Sequence, residues 1–214
     1  MCDTNWYKDI LNITVSQEEL ENICAQLDEK EYDIDNSFEK YYDLNLILKA
    51  IEKCENKEIS GVYLANWCNV YNWIITAKMS VNLEIECKST QEGFKECVQN
   101  EISQLLDSLS FFDDDKESKK YYNLKKFKNW FKLYDELYQK VNELEIFEYS
   151  VTDWDGEDCC VFVVIDHKTK TFSKITYIED EDVCCKYKEN KPIFMQIDAQ
   201  IEDLKNKGYK QKKI

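Results

Sequence analysis

Arginine is absent from this chain of 214 residues, glycine occurs four times, and proline and histidine once each. Without a guanidinium there is no planar fork of donors to grip a phosphate or carboxylate bidentately. Four glycines are too few for a glycine-rich phosphate loop or for a many-turned β-sandwich; with one proline they point to long helices and short connections. A single histidine leaves little for general acid–base catalysis, which recruits that side chain most often. His167 stands between Asp166 and Lys168 in a turn, where it reads as a solvated surface residue; a nucleophilic pairing with a thiol such as Cys160 has no specific support. Long apolar runs are missing too. The longest, Val62 to Ala77, is interrupted by Asn66, Asn69 and Asn72 and is shorter than the roughly 20 residues of a membrane span. The segment Met1-Cys2-Asp3-Thr4-Asn5-Trp6 has neither the basic nor the apolar region of a secretory signal, so the expected location is the cytoplasm.

Acid is abundant, and it comes in blocks. Asp and Glu number 43 against 28 lysines, a net charge of −15. Residues 1–60 and residues 143–183 each carry a net −9, whereas residues 111–142 stand at +2 and residues 184–214 at +4. Such a surface repels nucleic acid and anionic membrane and attracts basic proteins. The chain also holds 14 Tyr, 10 Phe and 5 Trp, which bury large areas and exclude a disordered acidic tail. Ten cysteines form no Cys-x-x-Cys motif and read as small buried apolar groups. The pairs Cys159-Cys160 and Cys184-Cys185 would each offer one thiolate to a given site, because neighbours on a strand face opposite ways. Packing therefore ranks ahead of structural zinc, and neither a metal nor another cofactor is expected.

Periodicity supplies the fold class. A short helix is expected over residues 4–11 with Thr4 as its cap. Ser16 and Glu19 stand at capping-box spacing ahead of Leu20, Ile23, Cys24 and Leu27. One helix is predicted from Asn36 to Cys54. The next, Glu58 to Lys78, has no charged face from Ile59 to Ala77 and reads as the hub of a bundle; a ligand pocket lined by Trp67, Tyr71 and Trp73 is the alternative. Val81 to Cys87 alternates like a strand, with a helix extension as the alternative. Phe94, Val98, Ile102, Leu105, Leu109 and Phe112 then mark one helical stripe, and Leu124, Phe127, Phe131, Tyr134, Tyr138 and Val141 another. Lys125, Lys126, Lys128 and Lys132 crowd the start of the second, opposing the helix dipole.

From about residue 145 the period changes to two. Glu145–Thr152, Cys160–Ile165 and Thr171–Ile178 read as an antiparallel meander, with Asp155-Gly156 as a two-residue hairpin turn and a central strand covered on both faces. Beyond Pro192, Phe194, Ile197, Ile201 and Leu204 mark a C-terminal helix that frays from Lys205. The expectation is an α+β fold, predominantly helical: a helical bundle over 1–142, then the meander and last helix over 143–214, as two units or as one continuous domain.

Glu58-Ile59-Ser60 leading into Tyr63-Leu64-Ala65-Asn66-Trp67, with the helix pair Tyr41 to Ala77 and the run Leu105-Leu106-Asp107-Ser108-Leu109-Ser110-Phe111-Phe112-Asp113, resembles the small acidic immunity proteins of polymorphic or contact-dependent bacterial toxin systems. The resemblance covers residues 41–113. It implies tight binding to a cognate toxin domain, often a nuclease, and occlusion of its active site; it transfers no binding residue position by position.

The residues themselves nominate three acidic clusters. Asp153, Asp155, Glu157 and Asp158 surround Trp154, a candidate aromatic anchor. Asp113, Asp114 and Asp115 form the second cluster, and Glu179, Asp180, Glu181 and Asp182 the third. The spacing around Gly156 does not match a calcium loop, so a solvated turn, contact with a basic partner and a cation site stand in that order. The functional expectation is a non-enzymatic inhibitor that docks on a basic protein and takes part in no direct binding of nucleic acid or membrane. A phage-encoded counter-defence protein imitating nucleic-acid charge, an enzyme with an unrecognised site and a ligand sensor are the competing readings.

Overall fold

Helix α5, Gly61–Thr76, contains no charged side chain, and the architecture of the first half of the chain follows from it. A computed structural model describes residues 6–27, 37–76, 89–113, 120–152, 156, 158–177, 185 and 187–212, with backbone alone at Trp6, Tyr7, Ser37 and Asp158. Among the described residues are eight α-helices and one four-stranded sheet, a predominantly helical α+β fold. The chain divides into two compact units, residues 1–86 with 97–136 and residues 87–96 with 137–214. Helices α6 (Thr90–Leu109) and α7 (Leu124–Lys140) contribute to both.

In the first unit α5 packs against α1 (Trp6–Asn12), α2 (Gln17–Ala25), α3 (Ser37–Tyr41) and α4 (Leu44–Glu55), the hub arrangement that an uncharged helix requires. Leu64, Trp67, Cys68, Val70, Tyr71 and Ile74 are all inaccessible to solvent. Burying an aliphatic side chain of this size contributes about 1.5–3 kcal/mol. Buried polar tips need partners, and here they find backbone carbonyls. The Tyr63 hydroxyl donates to Val15 O at 2.9 Å and Trp67 Nε1 to Ile10 O at 3.0 Å. Trp67 and Tyr71 stack with ring centroids 4.7 Å apart. Of the three rings that could line a pocket, Trp67 and Tyr71 are core and Trp73 is half-buried.

The single helix expected from Asn36 to Cys54 is two helices. The chain turns extended at Asp43 (φ −142°, ψ 110°), whose carboxylate accepts from Asn45 N at 2.8 Å and caps α4. The buried Tyr71 hydroxyl spans the break: it donates to Tyr41 O and accepts from Asp43 N, both at 2.9 Å. Apolar spacing continues across such a break because α3 and α4 both face α5. Other boundaries are local. Ser16 Oγ accepts from Glu19 N at 3.2 Å, as its spacing predicts, and Ser60 Oγ accepts from Tyr63 N at 3.0 Å to open α5. The buried stripe through α6 and the turn after it runs Phe94, Val98, Ile102, Leu106, Leu109 and Phe112, so Leu106 takes the place expected of Leu105, which is half-buried. On α7, Phe127 and Phe131 are buried while Tyr134 and Tyr138 are only partly so. Lys128 pairs with Glu55 at 2.6 Å, and Lys125, Lys126 and Lys132 lie exposed.

In the second unit Ser89 and Glu92 form a capping box at the start of α6: Ser89 N donates to Glu92 Oε2 at 2.9 Å and Glu92 N to Ser89 Oγ at 3.4 Å. The sheet order is β1 (Glu145–Thr152), β2 (Asp158–Asp166), β3 (Thr171–Tyr177), β4 (Lys210–Gln211). The first three strands form the expected antiparallel meander. Val161 to Ile165 are buried without a break, which is what a strand covered on both faces shows. On one face Val161, Val163 and Ile165 join Val151 and Phe172 under Phe194, Ile197 and Leu204 of α8 (Lys191–Asn206). On the other, Phe162 meets Phe94 edge-on at 5.2 Å and Tyr177 at 5.9 Å.

Two features of this unit differ from expectation. Thr152 lies opposite Asp158, a register that centres on position 155. A two-residue turn at Asp155-Gly156 would put Thr152 opposite Cys159. The connection therefore has an odd number of residues, with Gly156 at φ 93°. The lysine-rich segment through Lys212, moreover, does not fray. Gly208, at φ 84°, reverses the chain; Gly208 N donates to Lys205 O and Tyr209 N to Leu204 O, both at 3.0 Å, closing α8 in a Schellman motif. The chain then returns as β4, parallel to β3, with Lys210 N donating to Lys170 O and Lys212 N to Phe172 O. The strand expected at Val81–Cys87 and the cap expected at Thr4 lie outside the described residues.

Candidate binding surface

Of the three acidic clusters, Asp113 is exposed just beyond the end of α6, and Asp158 opens β2. Asp153, Trp154, Asp155, Glu157, Asp114, Asp115, Glu179, Asp180, Glu181 and Asp182 lie outside the described residues. The strands that flank the first cluster are described, and they carry an acidic group of their own. Glu143, Glu145 and Glu148 all lie exposed along β1 and the turn before it.

Each of these carboxylates has a structural contact. Glu143 Oε2 accepts from Lys168 Nζ at 2.8 Å, across an ion pair in which both side chains are more than half exposed. Such a pair contributes about 0–1 kcal/mol. Glu148 Oε1 accepts from the Cys160 thiol at 3.3 Å. Glu145 Oε2 lies 2.8 Å from His167 Nε2, and His167 Nδ1 lies 2.8 Å from the Tyr209 hydroxyl. The solitary histidine is therefore exposed, as its turn position predicts, yet both ring nitrogens are engaged. It ties the first residue of β1, the β2–β3 turn and the segment after α8 to one another.

The β2–β3 turn is itself rigidly built. Asp166 Oδ1 accepts from Lys168 N at 2.9 Å and Thr169 N at 3.0 Å. The amide of Thr169 does most to hold the Asp166 carboxyl below its usual pKa, because it stabilises the charged form. Lys170 closes the turn in the left-handed region at φ 51°. Hairpin register alone places Glu145 near the turn that holds His167. Nothing in the sequence signals Tyr209, whose position depends on the reversal at Gly208.

The other end of the sheet is fixed by Asn190. This buried side chain is 1% exposed; its Oδ1 accepts from Thr152 N at 3.0 Å and its Nδ2 donates to Thr152 O at 2.6 Å. One amide thus takes the place of a neighbouring strand at the end of β1. Nothing in the sequence signals this contact, because it joins residues 38 positions apart.

Among the described residues no three His, Cys, Asp or Glu side chains are grouped to hold an ion. Cys159 packs against the core beneath α8, and so does Cys185, whereas Cys160 points to the opposite face toward Glu148. The adjacent thiols thus separate as strand geometry demands. Buried Cys68 has its pKa pushed up, chiefly by loss of solvent, which keeps the thiol protonated and inert. Among the described residues no helix is long and apolar enough to cross a membrane. Comparison with protein-family models, with curated proteins and with solved structures finds no match to this chain.

Proposed function

We propose that this chain is a non-enzymatic acidic inhibitor that binds a basic protein, of the kind a toxin presents to its immunity protein, and occludes that protein's active site. One observation carries the reading: residues 143–183 hold 12 acids and three lysines. The segment includes β1, and Glu143, Glu145 and Glu148 there are solvent-facing. A nuclease is a fitting target, because a groove that binds a polyanion is cationic and accepts clustered carboxylates in its place. Asp153, Asp155, Glu157 and Asp158 are the proposed contacts of highest charge density, with Trp154 as anchor. Asp113 to Asp115 and Glu179 to Asp182 are the secondary contacts.

The test is co-purification with the product of the adjacent gene, followed by assay of that product with and without this protein. Stoichiometric complex formation with loss of activity is the expected result. Changing Asp153, Asp155 and Asp158 to Asn and Glu157 to Gln together should slow association and flatten its salt dependence. Unchanged association kinetics remove this cluster from the interface.

A further inference from the structure

We propose that the outer edge of β1 takes up an extended, lysine- or arginine-bearing segment of a partner as a fifth strand. The inference rests on the acidic-inhibitor reading for the partner's charge, and on the sheet's geometry for the mode of binding. Among the described residues β1 has a neighbouring strand on one side only, while the far edge of β3 is met by β4 at Thr171 and Phe172. In an antiparallel pair, alternate residues direct both N–H and C=O away from the partner strand. Thr152 is such a residue, since its N–H and C=O are both engaged by the Asn190 amide rather than by β2. Ile146, Glu148 and Ser150 share its parity and so present their backbone groups outward. Among the described residues no group bonds to them there.

Edges of this kind are ordinarily guarded by lysine, proline or a bulge. Glu145–Thr152 contains neither lysine nor proline, and its register with β2 runs through eight consecutive pairs without a bulge. What guards it is acid. Glu145 and Glu148, three residues apart, lie on opposite faces of the sheet, and Phe147 between them is 37% exposed. The edge repels acidic strands, including that of a second copy of this chain, whose residues 143–183 carry −9. It attracts a strand with cations at the same spacing of three, one for each face. Backbone hydrogen bonds would supply register, and Phe147 an apolar contact.

The probe is the hexapeptide acetyl-Lys-Val-Thr-Lys-Val-Thr-amide, measured by calorimetry against the full chain. Two forms of it serve as comparisons, one N-methylated at alternate residues and one with glutamate in place of lysine. The expected result is binding of the first peptide, with affinity at least about tenfold weaker for both comparison forms. Amide exchange at Ile146, Glu148 and Ser150 should slow on binding. Ser150→Pro removes one outward N–H without breaking a bond to β2, and should weaken binding by a similar factor with the far-UV spectrum unchanged. Equal, salt-sensitive binding of the N-methylated and unmethylated peptides overturns strand addition and leaves the acidic-surface reading standing. Failure of every cationic form to bind counts against both.

Discussion

Ile13, Lys57 and Gly208 occupy equivalent places just beyond three helices, all at positive φ (55°, 62° and 84°). At each, the residue's own N–H bonds three residues back and the next N–H five residues back: Ile13 to Ile10 and Thr14 to Asp9, Lys57 to Cys54 and Glu58 to Lys53, Gly208 to Lys205 and Tyr209 to Leu204. A chain with four glycines must place side chains in a conformation that favours glycine. Lys57 is exposed, so the strain there is offset by no packing. Lys57→Gly should raise stability by about 0.5–1 kcal/mol, read as a higher denaturant midpoint; a lower midpoint would refute the strain at this position. Gly208→Ala should cost about 1 kcal/mol, entirely through the backbone, because nothing lies within 4 Å of an added Cβ. Ile13 differs in being buried at 4% exposure, so a glycine there would lose packing as well as strain. Tyr71 concentrates more in one atom. Tyr71→Phe leaves Tyr41 O and Asp43 N without the hydroxyl that joins them, and should cost about 1–3 kcal/mol. It also bears on pH. Burial raises the Tyr71 pKa above its ordinary 10.0, so above about pH 10 the unfolded chain loses a proton that the folded chain keeps. Stability therefore falls as pH rises beyond that point, and the fall should be shallower in Tyr71→Phe than in the parent chain.

Elements whose signal is their own period are legible in the sequence. The buried faces of α2 and α8, the hub helix α5 and the three long strands of the meander stand where apolar spacing puts them, because burial on one side selects a stripe or an alternation and burial on several sides selects an unbroken apolar run. Elements defined by distant atoms are not legible in this way. The gap between α3 and α4 is stabilised by a hydroxyl 28 residues further on, and apolar spacing runs through it unbroken. Strand β4 has two residues and therefore no period; it exists because Gly208 returns the chain to the edge of β3. The hairpin between β1 and β2 departs from its expected length because Asp-Gly suits an odd-numbered connection as well as a two-residue turn. Asn190 belongs to the same class, a polar side chain acting as a strand. Asn190→Ala should cost about 1–3 kcal/mol, since the outward N–H and C=O of Thr152 lose both partners. Amide exchange should locate the loss at the end of β1. Exchange at Thr152 no faster than in the parent chain would show that the amide is not what fixes this edge.

The charge of the whole molecule is plain from composition, whereas the site within it is legible only in part. Glu143, Glu145 and Glu148 give no signal in the sequence because isolated acids at exposed positions in and before a strand read as solvated side chains. Their contacts with Lys168, His167 and Cys160 depend on strand pairing. A net charge of −15 on 214 residues acts on two equilibria with opposite sign. Within the folded chain like charges repel, and salt relieves that repulsion. Between this chain and a basic partner unlike charges attract, and salt weakens that attraction, the screening length falling from about 10 Å at 0.1 M to about 3 Å at 1 M. Raising sodium chloride from about 0.05 to about 0.5 M should therefore shift the chain's own denaturant midpoint upward while slowing association with the cognate partner by about tenfold or more. The variant neutralised at Asp153, Asp155, Glu157 and Asp158 should show a smaller salt effect in both measurements. An association rate indifferent to salt, beside a stability that still rises with it, would mean that the carboxylates act only within this molecule and not on a partner.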